Sequence, residues 1–174
     1  MPFFPAFIDL SDKKVLVVGG GKVATRKVKN LLNFTQNITI VAPKISEELQ
    51  KVAKEKGLKI KRRRFLTSDL KGKDLVIVAV DDVKLQRRIF KFCERRKILC
   101  NAVDSPEYCN FIFPSLIVKG ELVIGISTSG KVPALSRRIR ELIETHLPED
   151  IDRILEDIAI ERAKAKRVWK DREV

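Results

Sequence analysis

The stretch VLVVGGGKVATRKV, residues 15–28, decides the fold. A short apolar run enters three glycines. A basic stretch follows, with Val23, Val28, Leu31 and Leu32 spaced to share one side of a helix over 22–32. Unbroken apolar character, rather than alternation, is how a strand covered on both faces reads. Gly19, Gly21 and Ala24 fit the spacing G-x-G-x-x-A across the strand–helix junction. The first glycine permits a tight turn. The second lets the backbone approach a pyrophosphate, and the alanine lets helix and strand pack closely. The helix N-terminus offers unpaired N–H groups and a positive dipole end to the phosphates. The pattern points to dinucleotide binding; the alternative is a purely structural turn in a doubly wound fold.

Outward from this junction the pattern repeats. ITIVAP (38–43), LKIKRR (58–63), DLVIVAV (74–80) and ILCNAV (98–103) read as further strands. Ser46 is placed to cap a second helix, with Glu47 and Glu48 in the first turn, where the dipole favours acids. Asp82 is placed to cap a helix running to about Arg96. Strands and helices joined by short links give a parallel sheet covered by helices. The rhythm then changes. NFIFPSLIVKGELVIGIST (110–128) reads as an antiparallel hairpin turning at Lys119-Gly120. A helix follows with Pro133 in its first turn and Leu135, Ile139, Leu142 and Ile143 on one face. HLPED (146–150) reads as a linker, and Ile151, Ile154, Leu155 and Ile158 mark a C-terminal amphipathic helix with a basic end.

Composition limits the functions. Lys and Arg number 36 against 23 Asp and Glu, a formal charge of +13 that favours polyanionic partners or simply a solvated basic surface. Cys93, Cys100 and Cys109 form no C-x-x-C pair, so buried thiols in a reducing compartment are expected rather than a disulfide framework. The single histidine, His146, and three scattered cysteines offer no metal-ligand set. No apolar run is long enough to span a bilayer, and MPFFPAFIDLSDKK has no basic residues ahead of its apolar stretch, so a cytoplasmic protein is expected. GISTSGK (125–131) matches the glycine and lysine positions of a P-loop, but Val132 and Pro133 stand where the Mg²⁺-binding hydroxyl belongs.

Two features leave alternatives open. The second strand ends Val41-Ala42-Pro43-Lys44, without the acid that usually holds the adenosine ribose, so the turn alone does not separate NAD from NADP. Ser127, Thr128 and Ser129 precede a helix and fit either an anion cradle for a substrate carboxylate or an ordinary capping loop.

P-x-F-I-D-L, V-L-V-V-G-G-G-K-V-A-x-R-K, V-x-A-P, V-A-V-D-D, C-N-A-V-D-S-P and F-I-F-P-S…G-I-S-T-S-G-K-x-P-A-L-S-R-R-I-R occur in that order. In this the chain resembles the precorrin-2 dehydrogenase and sirohydrochlorin ferrochelatase module of siroheme synthases over nearly its whole length. The resemblance implies an α/β fold: a Rossmann-like NAD-binding domain over 1–113, a hairpin-plus-helix dimerisation region over 114–146, and a small helical part over 147–174. It implies a stand-alone form without the methyltransferase domain of fused enzymes, acting as a homodimer. It also implies NAD⁺-dependent oxidation of precorrin-2, a polycarboxylate tetrapyrrole, to sirohydrochlorin; some members insert Fe²⁺ as well.

By the same resemblance Asp104 is the catalytic aspartate, a general base for the macrocycle proton, although Asp-Ser-Pro also starts turns. Lys22 and Val23, Pro43 and Lys44, and Val80 and Asp81 match cofactor-contacting positions beside Gly19 and Gly21, with NAD as the cofactor. Arg137, Arg138 and Arg140 would either grip substrate carboxylates or form a solvated helix face. Thr128 stands where some fused enzymes have serine. Rival readings are a non-catalytic NAD(H)-sensing module and a nucleic-acid binder using KIKRRR (59–64) and the basic tail, which lack interleaved aromatics beyond Trp169.

Overall fold

The glycine junction leaves a strand, β1 (Val15–Val18), whose four residues are all buried. The computed structural model describes residues 2–170. After β1 come α1 (Lys22–Leu31), β2 (Ile38–Val41), α2 (Glu47–Glu55), β3 (Lys59–Lys61), β4 (Leu75–Val78), α3 (Val83–Arg95) and β5 (Leu99–Ala102). The five strands form one sheet in the order β3-β2-β1-β4-β5. Every pairing is parallel, with Val15 opposite Ile38 on one side and Leu75 on the other.

Alternate residues of β1 feed two separate cores. Val15 and Val17 pack with Ala24, Val28 and Leu31 of α1 and with Leu49 and Ala53 of α2. Leu16 and Val18 pack on the other face with Ile89 and Cys93 of α3. A strand covered on both faces needs apolar residues at every position, which explains its unbroken run. Ser46 caps α2 by accepting from the Leu49 N–H at 3.3 Å, and Asp82 caps α3 by accepting from the Leu85 N–H at 3.0 Å.

The strand–helix alternation lapses between β3 and β4, where the crossover holds a short 3-10 turn, Thr67–Leu70. Asp69 organises it. Its carboxylate accepts from Lys61 at 2.8 Å, from both Arg63 guanidinium nitrogens at 2.7 and 2.8 Å, and from the Leu66 N–H at 2.9 Å. The Arg63 guanidinium is the main reason its carboxyl lies well below the usual carboxylate range; the Lys61 ammonium and Leu66 N–H add to it against the cost of burial. Two cations of the KIKRRR run are thus committed within the fold.

The chain divides into two compact units at Phe113–Pro114. In the second, β6 (Ser115–Lys119) and β7 (Leu122–Ile126) form an antiparallel hairpin. The turn is Gly120-Glu121, one residue later than expected, with Gly120 at φ 54°, as a two-residue hairpin loop requires. Next come α4 (Pro133–His146) and a single C-terminal helix, α5 (Ile151–Lys170). The expected apolar side of α4 is incompletely covered, with Leu135 and Leu142 each 48% exposed.

Candidate active site at the carboxyl edge of the sheet

The strand order reverses between β1 and β4. β1 leads to β2 and β3 on one side, and β4 leads to β5 on the other. In open α/β sheets ligands bind outside the carboxyl ends of the strands at such a switch point. The glycine turn sits there. Gly19 has φ 130°, and a Cβ on it would lie 2.1 Å from the Ala79 carbonyl oxygen at the end of β4. Its N–H donates to Val41 O at 3.0 Å, tying the turn to β2 as well.

Gly20 carries a constraint that the G-x-G spacing passes over. A Cβ there would lie 2.1 Å from Lys44 O, and Gly20 O accepts from the Ser46 N–H at 2.8 Å. The third consecutive glycine was its only sequence signal. Gly21 differs from both: no protein atom lies within 4 Å of the position its Cβ would take. Gly21 is the N-cap of α1; no side chain caps the helix and no acid lies in its first turn. Its carbonyl accepts from the Thr25 N–H and hydroxyl at 3.0 and 2.9 Å. The backbone at Gly21 is therefore open to approach from outside the chain. Uncapped N–H groups with Lys22 beside them suit a diphosphate, so the residues fit the pyrophosphate of a dinucleotide.

The other expected cofactor positions border the same edge. Val23 lies in the first turn of α1, Pro43 and Lys44 are exposed just after β2, and Val80 and Asp81 follow β4. Asp104 is exposed two residues beyond β5, with φ 61°. It occupies a turn closed by the Ser105 N–H donating to Ala102 O at 3.3 Å. The turn-former and site readings of Asp104 are thus compatible: the turn places the carboxylate at the ligand edge.

Several supports were not anticipated. Gln86, buried in the first turn of α3, donates its amide N–H to Val80 O at 2.7 Å. Its side-chain oxygen accepts from the Ser105 hydroxyl at 2.6 Å. It ties the end of β4 to the residue beside Asp104. Asn110 receives the Cys100 N–H at 2.6 Å and donates to Ile98 O at 2.9 Å, holding the returning chain along β5. The Cys109 thiol donates to Ala102 O at 3.2 Å and Ser105 O at 3.3 Å. Burial raises the Cys109 thiol above its ordinary value. Cys93 and Cys100 are buried, whereas Cys109 is only partly so.

The second group of expected residues belongs to the second unit. The Thr128 hydroxyl accepts from the Val132 N–H at 3.1 Å and lies 3.2 Å from the Ser136 hydroxyl. Ser127 accepts from the Ser129 N–H at 2.9 Å, so both hydroxyls serve the loop before α4. Arg137 is exposed. Arg138 pairs with Glu141 at 3.7 Å, and Arg140 pairs with Glu144, as on a solvated helix face. Among the described residues no cluster of three or more His, Cys, Asp or Glu is placed to hold a metal ion. No helix among them is long and apolar enough to cross a membrane.

Sheet, switch point and glycine turn define a dinucleotide-binding α/β protein, and comparison with known families agrees: the chain belongs to the putative NAD(P)-binding family, whose model matches residues 6–115. A second family model, sirohaem biosynthesis protein central, matches residues 119–146. Similar curated proteins are siroheme synthases. One from Aeromonas hydrophila is 40% identical over 88% of this chain and 33% of its own length. One from Blochmanniella pennsylvanica is 41% identical over 96% of this chain and 35% of its own. The chain thus spans about a third of the curated relatives it matches. Among solved structures it is similar to SirC, precorrin-2 dehydrogenase, with a TM-score of 0.76 and 29% identity, covering 92% of this chain and 79% of that one.

Proposed function

We propose that this protein is an NAD-dependent dehydrogenase that oxidises precorrin-2 to sirohydrochlorin on the path to siroheme. The observation that carries the reading is the open space at Gly21, over the uncapped start of α1, on the same sheet edge as Asp104. The similarity to a precorrin-2 dehydrogenase over 92% of the chain supports the choice of substrate.

Removing two electrons from a saturated bond of the macrocycle releases a hydride and a proton. Bound NAD⁺ supplies the hydride acceptor. The chain supplies position and proton transfer. The α1 N–H groups and Lys22 hold the pyrophosphate, while Pro43 and Lys44 border the adenosine end, where no acid selects the ribose. Val80 and Asp81 border the reactive end. The Asp104 carboxylate accepts the proton that leaves the macrocycle. Gln86 fixes the two loops against each other, so that the carboxylate and the cofactor contacts keep one spacing. Ser127, Thr128, Ser129 and Arg137 belong to the second unit, where they form a separate candidate contact for carboxylates.

The test is anaerobic turnover of precorrin-2 with NAD⁺, followed by tetrapyrrole absorbance. Wild-type protein yields sirohydrochlorin and NADH one for one, and Asp104→Asn yields little. Bound NAD without product in the wild type would favour the sensing module; equal turnover by both proteins would remove Asp104 from the chemistry.

A further inference from the structure

Lys27 belongs to the V-A-x-R-K run and is not among the expected cofactor contacts. It lies on α1 beside the buried face formed by Ala24, Thr25, Val28 and Leu31. Its ammonium sits 4.2 Å from the centroid of the Phe113 ring. Phe113 packs with Phe111, ring centroids 6.2 Å apart, on the α1 side of the sheet. The cation is thus drawn inward over an aromatic face rather than extended into water.

Such a position is costly. Burial pushes the Lys27 ammonium down to about 8, and the like charge of Arg26 pushes the same way. Cys109 and Asp104 oppose the shift. The Cys109 thiol is itself raised by burial and is neutral at pH 7, which leaves Asp104 as the opposing charge. Among the described residues no carboxylate lies within 4.0 Å of the Lys27 ammonium. A half-buried cation over an aromatic ring, with its opposing carboxylate beyond ion-pair distance, is incompletely compensated until an anion arrives.

We propose that Lys27 anchors a peripheral carboxylate of the tetrapyrrole substrate, on the α1 side of the edge that carries Asp104. This rests on the precorrin-2 reading. Its chemistry is simple. The macrocycle is bordered by carboxylates, and a desolvated ammonium gives a charge-assisted bond stronger than one on an open surface. Pairing returns Lys27 to its charged form, so binding near pH 8 takes up a proton, and well above that pH the anchor is neutral.

The experiment titrates NAD-loaded protein with sirohydrochlorin under anaerobic conditions at pH 7 and pH 9, following tetrapyrrole absorbance. Steady-state turnover of precorrin-2 is measured alongside. Lys27→Met keeps the chain over Phe113 and removes the charge; Lys27→Arg keeps a charge that does not titrate. The methionine variant binds roughly tenfold more weakly at pH 7 and loses the pH dependence. Its loss falls on KM rather than kcat, and NAD affinity and the melting curve report that the fold is intact. The arginine variant recovers most of the affinity at both pH values. Methionine-variant affinity within about twofold of wild type, in a protein that turns over precorrin-2, overturns the anchor alone. A collapse of kcat in both variants with KM unchanged also overturns it, in favour of proton transfer. A wild type that neither binds sirohydrochlorin nor oxidises precorrin-2 overturns the anchor together with the dehydrogenase reading.

Discussion

The Ser105 hydroxyl donates to the Gln86 side-chain oxygen at 2.6 Å, one residue along from Asp104. Helix α3 thereby reaches over the sheet edge to hold the loop that bears the proposed base. Because Gln86 also donates to Val80 O, one amide sets the distance between two loops. Gln86→Leu, of similar volume, leaves the Val80 carbonyl and the Ser105 hydroxyl without it. The expected result is a loss of about 1–3 kcal/mol in stability. Precorrin-2 turnover should fall further than this loss explains, measured well below the melting temperature. Unchanged turnover would show that the loops hold their spacing without it.

The three glycines separate by experiment. Gly20→Ala drives a Cβ to 2.1 Å from Lys44 O, a backbone overlap that must be relieved by movement of the β2–α2 link. It should cost about 2 kcal/mol or more in denaturant unfolding. Gly21→Ala meets no protein atom and should leave stability nearly unchanged. Gly21→Asp adds a negative charge at the pyrophosphate position and should weaken NAD binding by more than roughly tenfold, read by calorimetry. Full NAD affinity in a folded Gly21→Asp protein would remove the cofactor from this turn.

Asp69 makes stability pH-dependent on the acid side. Its folded carboxyl is held below the ordinary range, mainly by Arg63, so the unfolded chain binds a proton first as pH falls. The stabilisation is complete above about pH 5 and is lost progressively below about pH 4. Asp69→Asn should cost about 2 kcal/mol at pH 7, because Lys61 and Arg63 lose their shared partner, and should flatten the acid limb of the stability profile. An acid limb as steep as that of the wild type would place its origin elsewhere.

Lys27 acts in the opposite direction. Its folded value near 8 lies below the ordinary 10.5, so between those values the unfolded lysine holds a proton that the folded one has released. Wild-type stability should therefore rise with pH across that window. Lys27→Met removes the half-buried charge and should stabilise the protein by about 1–2 kcal/mol at pH 7, with the advantage shrinking toward pH 10.5. A variant both more stable and poorer at holding substrate is the signature of a strained binding residue.

Homodimer formation through residues of about 110–145 is a further expectation. The half-exposed Leu135 and Leu142 of α4 are suitable contacts. Light scattering at micromolar concentration should give twice the chain mass, and Leu135→Asp with Leu142→Asp should return it to one. A wild-type monomer would refute the expectation.

The parallel sheet was legible because its strands are covered on both faces and say so in composition. VLVV and LVIV leave no polar position that solvent could claim. Ser46 and Asp82 were legible because an N-cap needs a short polar acceptor before an apolar helix. Gln86 and Asn110 were not. Their roles depend on partners 19 and 10 residues away, brought near only by the sheet. Lys27 was missed for a related reason: a lysine in a basic helix reads as solvated until an aromatic ring is found beneath it. The 3-10 crossover hid behind a basic run of which Lys61 and Arg63 turn to Asp69.

Asn110 has one more effect. Along β5 it occupies the Cys100 N–H and the Ile98 carbonyl with its side chain, and its own N–H donates to Cys100 O at 3.0 Å. A side-chain amide thus takes up hydrogen-bonding positions that an adjoining strand would need. The opposite margin, β3, has only three residues and carries the exposed Lys59 beside Lys61, whose ammonium pairs with Asp69. Short, lysine-bearing borders repel strands from other molecules. The sheet is therefore closed to lateral growth at one margin by mimicry of a neighbour and at the other by charge and brevity, which guards it against edge-to-edge aggregation.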